Sequence, residues 1–172
     1  SNLIKKSNRP LFIIGNGLKL SRSKKIFEKL NKNLNIPFFT SRFAIDIFPF
    51  SNEMNLGQCG IRGMPYSKEI IEESDLIIFL GCRLAPALCF GNPKNFAKKA
   101  KKILIDIDKQ SINNPFMKFD KIIKEDLSIF LSNFIKFSTS TKIEKKSDWL
   151  KHCIKIKNIK KIVIKKKYKQ TY

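Results

Sequence analysis

The sequence is short of arginine, histidine and paired cysteines, and each shortage argues against a class of function. Only 5 of its 35 basic residues are arginine, although arginine is the side chain that nucleic-acid-binding proteins favour for bases and phosphates. The single histidine, His152, leaves little for histidine-dependent catalysis. The four cysteines form no Cys-x-x-Cys pair, which disfavours zinc and is typical of free thiols in a reducing compartment. We therefore assign no catalytic and no metal-binding residue.

Long apolar runs are also missing. No stretch approaches the roughly 20 apolar residues of a transmembrane helix, and no basic and apolar leader opens the chain. We therefore expect a cytoplasmic protein that has no membrane partner. With 172 residues, 42% of them hydrophobic, the chain is long enough for one globular domain with a buried core and an appendage.

The net charge of +21 is the feature that points most directly to nucleic acid. However, 30 Lys, 26 Ile and 14 Asn fill 70 of the 172 positions, and each of these residue types has codons made of A and T alone. Residues 139–172 carry 12 Lys and two acidic residues, so 10 of the 21 net charges lie in this segment. A biased coding sequence and a solvated, flexible lysine-rich segment account for the charge, and nucleic acid is not an expected partner.

Short apolar runs alternate with amphipathic segments along the first 138 residues. Strands are predicted at residues 11–14, 36–40, 76–80, 103–107 and 119–124. Helices are predicted to start at Ser21 or Ser23, at Pro65 or Ser67, at Asn92-Pro93 and at Asp126. Residues 41–63 are predicted to be irregular. The alternation indicates an α/β fold, a three-layer Rossmann-like sandwich built on a parallel sheet.

The loops that follow the predicted strands are the expected place for a ligand, because ligands on parallel sheets bind beyond the carboxyl ends of the strands. Glycines, short polar residues and charged residues are concentrated there. The candidates in these loops are Gly15, Asn16, Gly17, Thr40, Ser41, Arg42, Gly81, Arg83, Asp106 and Asp108.

The first of these loops, Gly15-Asn16-Gly17, has two interpretations. Its backbone N–H groups face a phosphate at the start of a helix, or its glycines only permit a tight turn. The dinucleotide fingerprint needs a third glycine where this chain has Leu20, and Thr40-Ser41-Arg42 lacks the acid that would bind an NAD ribose. NAD binding in the usual mode is therefore disfavoured.

The charged candidates are open to two interpretations as well. Arg42, Arg62 and Arg83 are three of only five arginines and lie in or next to the predicted ligand loops, where they bind an anion or form surface ion pairs. Asp106 and Asp108 accept hydrogen bonds from ribose hydroxyl groups, or they cap the end of the sheet and the helix that follows.

Six stretches add a signal through their order and spacing: RPLFIIGNG at residues 9–17, IPFFTS at 36–41, LGQCGIRG at 56–63, SDLIIFLGCRL at 74–84, FGNPKNFA at 90–97 and IDID at 105–108. Together they resemble the central domain of thiamine-diphosphate-dependent enzymes of the acetolactate synthase type. The resemblance covers about residues 9–131. Residues 147–172 resemble, more weakly, the linker that leads to the third domain of that family.

The resemblance implies a larger, three-domain parent whose middle domain has a parallel sheet of six strands. In that family a glutamate of the first domain activates the thiazolium, and a Gly-Asp-Gly…Asn motif of the third domain holds magnesium and the diphosphate. This chain contains no Gly-Asp-Gly. The resemblance thus implies an excised central domain, inactive alone, whose partners are the N- and C-terminal domains of the same chain. The parent would be a dimer or tetramer that decarboxylates a 2-oxoacid and transfers the resulting carbanion equivalent.

The same resemblance suggests boundaries and a nucleotide site. Residues 1–8 would be a tag remnant or linker, residues 9–138 the central domain, and residues 139–172 a lysine-rich linker toward a C-terminal domain. The site would hold FAD or an ADP-like nucleotide, or stay empty. Its lining would comprise Gly15, Asn16, Gly17, Thr40, Ser41, Arg42, Gly60, Arg62, Gly63, Gly81, Arg83, Asp106 and Asp108. The alternative hypothesis is a stand-alone nucleotide-binding domain of the electron-transfer-flavoprotein or sirtuin type.

Overall fold

The fold was taken from a computed structural model, which describes residues 2–113, 115 and 117–169. Its centre is one sheet of six parallel strands in the order β3-β2-β1-β4-β5-β6. The strands are β1 (Pro10–Ile14), β2 (Phe38–Thr40), β3 (Asn55–Gln58), β4 (Leu76–Leu80), β5 (Lys101–Asp106) and β6 (Lys121–Lys124). The chain reverses its direction of sheet growth between β1 and β4, which are neighbours in space. The predicted parallel sheet and α/β class are confirmed.

Helices cover both faces of this sheet. They are α1 (Asn2–Lys6), α2 (Gly17–Leu20), α3 (Lys24–Leu34), α4 (Ser67–Glu73), α5 (Lys109–Asn113), α6 (Leu127–Ser140) and α7 (Ser147–Lys169), with 3₁₀ turns at Arg42–Ala44 and Pro93–Asn95. Residues Phe12 and Ile14 of β1 face a core shared with α3 and α6, whereas Leu11 and Ile13 face a second core shared with α4 and α7. The three-layer sandwich follows from this alternation, because successive strand residues point to opposite faces.

Strand β3 lies inside the region that the sequence predicted to be irregular, so that prediction is wrong for Asn55–Gln58. The strand contains no apolar run. The Asn55 side chain instead holds its start, donating to the Phe48 and Pro49 carbonyls at 3.3 and 3.2 Å and accepting from the Gly57 N–H at 2.9 Å. Gly57 has φ +90° where the register with β2 slips by one residue, a bulge that suits glycine.

The prediction of a helix after Asn92-Pro93 is also wrong. Asn92 does act as a cap, since its side chain accepts from the Asn95 N–H at 3.2 Å, but only the 3₁₀ turn Pro93–Asn95 forms. Ala97 has φ +44°, a left-handed conformation that an α-helix does not allow. At Asp126 the predicted cap is confirmed, because its carboxylate accepts from the Ser128 N–H at 2.7 Å.

Residues 2–8 do not form a free linker. They include α1, and Ile4 is buried in the same core as α3 and α6. The carboxylate of Asp75 accepts the N–H groups of Asn8 and Arg9 at 2.8 and 3.0 Å, which fixes the entry into β1. Ser1, the first residue of the segment expected to be a tag remnant or linker, lies outside the described residues.

The lysine-rich segment differs most from its prediction, because α7 packs on the sheet. Trp149 and Cys153 are buried in the second core, and the Trp149 indole N–H donates to the Pro10 carbonyl at 2.9 Å. The Lys157 ammonium is buried, donates to the Asn55 carbonyl at 2.8 Å and lies 4.1 Å from the centre of the Phe50 ring. The prediction of a solvated, flexible segment is therefore wrong for residues 147–157. The domain boundary at residue 138 stays a prediction, and residues 170–172 lie outside the described part.

Within the residues that the structure describes, no helix combines the length and the apolar character that crossing a bilayer requires.

We expect Trp149→Ala to lower the free energy of unfolding by about 3 kcal/mol, because it removes a buried aromatic ring and its hydrogen bond to β1. Chemical denaturation measures the change, and Lys155→Ala on the exposed side of the same helix is the control. If both variants unfolded like the parent chain, α7 would not be part of the folded unit.

Candidate ligand site at the carboxyl edge of the sheet

The loops that follow β1 and β4 meet at the carboxyl edge of the sheet, where the strand order reverses. In open parallel sheets this switch point is the usual place for a ligand. Gly15 and Gly17 follow β1, and Gly81 follows β4. The structure thus brings together the loops from which the sequence predicted a site.

The three glycines at the switch point are in direct contact with one another. A Cβ on Gly15 would lie 2.0 Å from the Gly81 oxygen, and one on Gly17 would lie 2.6 Å from the Gly81 Cα. The Gly15 N–H donates to the Leu80 carbonyl and the Gly17 N–H to the Gly81 carbonyl, both at 2.9 Å. Close approach of two chain segments is therefore enough to explain these glycines, and their N–H groups already have acceptors.

Asn16 lies between these glycines at the start of α2, with helical backbone angles and no side-chain cap hydrogen bond. Helix α2 has only four residues, which gives it little dipole to offer a phosphate. Thr40 is buried, and its hydroxyl donates to the Gly57 carbonyl at 3.3 Å. The Ser41 N–H donates to the Ile14 carbonyl at 2.8 Å. Thr40 and Ser41 thus tie β2 to its neighbours at this edge.

The arginines are the candidates that remain most available. Arg42, Arg62 and Arg83 are exposed on the loops after β2, β3 and β4. Across the described residues, none of the three forms an ion pair with a carboxylate. Contact ion pairs of these arginines are therefore absent from this part of the chain, although the charge of Arg83 does act on the Asp108 carboxylate. The arginines bring positive charge to the edge.

The loop that carries Arg62 is held in place by two glycines. Gly60 has φ +99°, and a Cβ there would lie 2.5 Å from the Ala87 oxygen. A Cβ on Gly63 would lie 2.5 Å from the Gln58 oxygen, and the Ile61 N–H donates to the Ala87 carbonyl at 2.9 Å. These contacts fix the backbone of the loop while the Arg62 side chain stays in solvent.

The two aspartates after β5 accept hydrogen bonds from the residues that closely follow them in the chain. One Asp106 oxygen accepts the N–H groups of Ile107 and Asp108 at 2.8 and 3.0 Å. One Asp108 oxygen accepts the Ser111 hydroxyl and N–H at 2.7 and 2.9 Å. The Ser111 hydroxyl and N–H, followed by smaller contributions that include the charge of Arg83, lower the pKa of Asp108. Both carboxylates thus cap the sheet end and α5, the second of the two roles predicted for them.

Of two further features of this edge, sequence reasoning anticipated its free thiols and missed its exposed apolar side chains. Three cysteines, Cys59, Cys82 and Cys89, are buried below it, and burial raises the pKa of Cys59 and Cys89 to about 12. These thiols stay protonated near neutral pH and are therefore poor nucleophiles. In addition, the edge loops carry large exposed apolar side chains, among them Leu20, 77% exposed, and Phe43, 72% exposed.

The arrangement fits a nucleotide only in part. The arginines and the exposed apolar side chains suit the phosphates and the rings of such a ligand. The glycine N–H groups that would cradle a phosphate are already bonded to Leu80 and Gly81 carbonyls. In the part of the chain that the structure describes, no group of three or more His, Cys, Asp or Glu side chains is placed to hold a metal ion. The nucleotide site therefore stays a prediction.

Comparison with known proteins points to the family that the six sequence stretches resemble. A family model described as "Thiamine pyrophosphate enzyme, central domain" matches residues 1–134. The chain is 28% identical over 159 residues to a probable acetolactate synthase large subunit of Methanocaldococcus jannaschii. The aligned region covers 92% of this chain and 27% of the relative. It is 31% identical over 152 residues to the acetolactate synthase large subunit of Lactococcus lactis, covering 88% of this chain and 26% of the relative.

A third relative, a probable acetolactate synthase large subunit of Methanococcus aeolicus, is 33% identical over 134 residues, 78% of this chain and 22% of the relative. The chain thus spans about a quarter of the length of the curated relatives that it matches.

We expect Gly15→Ala to lower the free energy of unfolding by about 3 kcal/mol or more, because its new methyl group would collide with the backbone of Gly81. Gly91→Ala is the control: Gly91 has φ +74°, but a Cβ there meets only Ile61, at 3.9 Å, so we expect a loss of about 1 kcal/mol. Denaturant titration measures both, and equal losses would contradict the close contact at the switch point.

Proposed function

The chain belongs to the thiamine pyrophosphate enzyme family as an acetolactate synthase-like central domain, and we propose that it is a scaffold domain of a larger enzyme. The match over residues 1–134 carries the proposal, together with the six-stranded parallel sheet that this resemblance predicted. The same match confirms the resemblance carried by the six sequence stretches. The alternative of a stand-alone electron-transfer-flavoprotein or sirtuin-like domain finds no support in the relatives described above.

A non-catalytic role agrees with the chemistry of the residues at the carboxyl edge. The glycine N–H groups, Thr40 and the two aspartates bond to other parts of the domain. The thiols below the edge are buried and protonated. His152 lies at the surface beside Glu73, 2.8 Å between the imidazole Nε2 and the carboxylate oxygen. These residues hold the fold, so we infer that the reaction takes place on other domains.

The larger protein would use thiamine diphosphate, supplied with magnesium, to decarboxylate a 2-oxoacid and transfer the carbanion equivalent to an acceptor. The cofactor would sit between the two other domains, since this chain has no Gly-Asp-Gly sequence to hold the metal and the diphosphate. We propose a cytoplasmic dimer or tetramer, in which the domain described above fixes the distance between the other two. Its parallel sheet of six strands, packed against helices on both faces, suits that role.

Determination of the reading frame on both sides of this segment tests the proposal directly. We expect a preceding domain that contains the activating glutamate, and a following domain that contains Gly-Asp-Gly…Asn. The purified 172-residue chain, given pyruvate, thiamine diphosphate and Mg²⁺, should form no acetolactate. A reading frame that lacked both domains, or acetolactate formation by the chain alone, would disprove the proposed role.

A nucleotide, FAD or ADP, is the ligand that we propose for the carboxyl edge. The observation that supports it is the placement of Arg42, Arg62 and Arg83 at one edge of the sheet, on the loops after β2, β3 and β4, in a chain with only five arginines. Their guanidinium groups match phosphate oxygens in geometry and charge. Because the glycine N–H groups have other acceptors, we expect the arginines to supply most of the binding energy.

We expect the double variant Arg42→Gln/Arg62→Gln to bind FAD or ADP at least tenfold more weakly than the parent chain. Flavin fluorescence and calorimetry measure the dissociation constants. Arg9→Gln is the matched control, because Arg9 is exposed at the opposite, amino edge of the sheet. Absence of binding at millimolar nucleotide, or an equal loss in the control, would remove the nucleotide from the proposal and leave the scaffold role untouched.

A further inference from the structure

A cavity lies away from the carboxyl edge, beside the start of β5. Its volume is about 670 Å³, within the range of small-molecule sites. The turn at Pro93–Asn95 forms one wall, and the segment around Met117 forms the other. Phe96 and Met117 are buried and form its apolar floor.

Half of the residues that line this cavity are lysines: Lys94, Lys98, Lys102 and Lys118, four of the eight. In the whole chain only 30 of 172 residues are lysine, so the coding bias invoked for the net charge does not account for this concentration. No acidic residue is among the eight. The Asp120 carboxylate accepts the backbone N–H of Lys102 at 2.8 Å. Burial lowers the pKa of Lys102, and the charge of Asp120 partly opposes that lowering.

Among the described residues, no carboxylate lies within ion-pair distance of the four lysines. Within the part of the chain that the structure describes, Lys94, Lys98 and Lys118 form no salt bridge. The Lys102 ammonium is fixed instead, because it donates to the Ala97 and Ala100 carbonyls at 2.9 and 3.1 Å. An ammonium has three N–H donors, so two are used here to hold the side chain in position.

Several like charges around one concave surface repel one another, and a bound anion relieves that repulsion. The field of such a cleft is focused toward its centre, where an anion of opposite charge is attracted most strongly. A single phosphate would neutralise only part of four positive charges. A diphosphate group matches their number more closely, and the cavity has room for it.

We propose that this cavity, lined by Lys94, Lys98, Lys102 and Lys118, is a binding site for diphosphate-bearing anions. The site is separate from the arginine-bearing carboxyl edge and does not depend on the function proposed above. Both free pyrophosphate and the diphosphate of a nucleotide carry the required chemistry. Three exposed lysines attract the anion, and Lys102 anchors it near the start of β5.

Isothermal titration of the 172-residue chain with inorganic pyrophosphate at low ionic strength tests the site. We expect the triple variant Lys94→Gln/Lys98→Gln/Lys118→Gln to bind at least tenfold more weakly than the parent chain. The triple variant Lys25→Gln/Lys29→Gln/Lys32→Gln removes the same charge from the exposed face of α3 and should bind like the parent. Circular dichroism checks that both variants fold. A parallel titration with ADP, made on the Arg42→Gln/Arg62→Gln variant so that the carboxyl edge does not contribute, tells whether the cavity prefers free or nucleotide-borne diphosphate.

Methionine methyl resonances give a second, local readout. The chain has three methionines, of which Met117 alone lines the cavity. We expect pyrophosphate to shift the Met117 methyl signal and to leave those of Met54 and Met64 in place. Equal weakening of both triple variants would mean attraction by net charge only. That result, an unmoved Met117 signal, or no binding at millimolar pyrophosphate would overturn the proposal.

Discussion

The contact between the turns after β1 and β4 is the constraint on which the rest of the sheet edge depends. Gly15, Gly17 and Gly81 touch there without side chains between them, and the Gly81 carbonyl receives the Gly17 N–H. Two halves of a doubly wound sheet grow outward from this point, so its geometry sets where every later loop emerges. The loop after β4, which carries Arg83, begins at this contact, and the loop after β2, which carries Arg42, lies beside it. The glycines thus act on any ligand indirectly, by positioning the loops that would bind it.

Helix α7 makes the opposite end of the molecule equally fixed. Trp149 bonds to the carbonyl of Pro10 at the start of β1, and Lys157 bonds to that of Asn55 at the start of β3. One helix therefore spans the amino ends of the central strand and of the edge strand. We propose that the domain sets the spacing between two others. A helix bonded to both strands suits that role, because it opposes bending of the sheet between its centre and its edge.

The sequence predicted the strands that are buried on both faces, since a continuous apolar run such as residues 76–80 leaves few alternatives. Strand β3 escaped prediction because Asn55 and Gly57 stabilise it through hydrogen bonds and a bulge, which no apolar pattern records. The packing of α7 escaped for another reason: Trp149 finds its acceptor 139 residues earlier in the chain. At the carboxyl edge, the position of the candidate loops was predictable, whereas the acceptors of their N–H groups depend on tertiary contacts.

The buried ammonium of Lys157 has a consequence for how the protein behaves in solution. Strand β3 ends the sheet, and an uncovered edge strand is a template on which another chain can add its own strand. Lys157 occupies a backbone acceptor of that strand and brings a cation to it. Although coding bias alone could explain its presence, Lys157 thus disfavours the pairing of β3 with a strand of another chain.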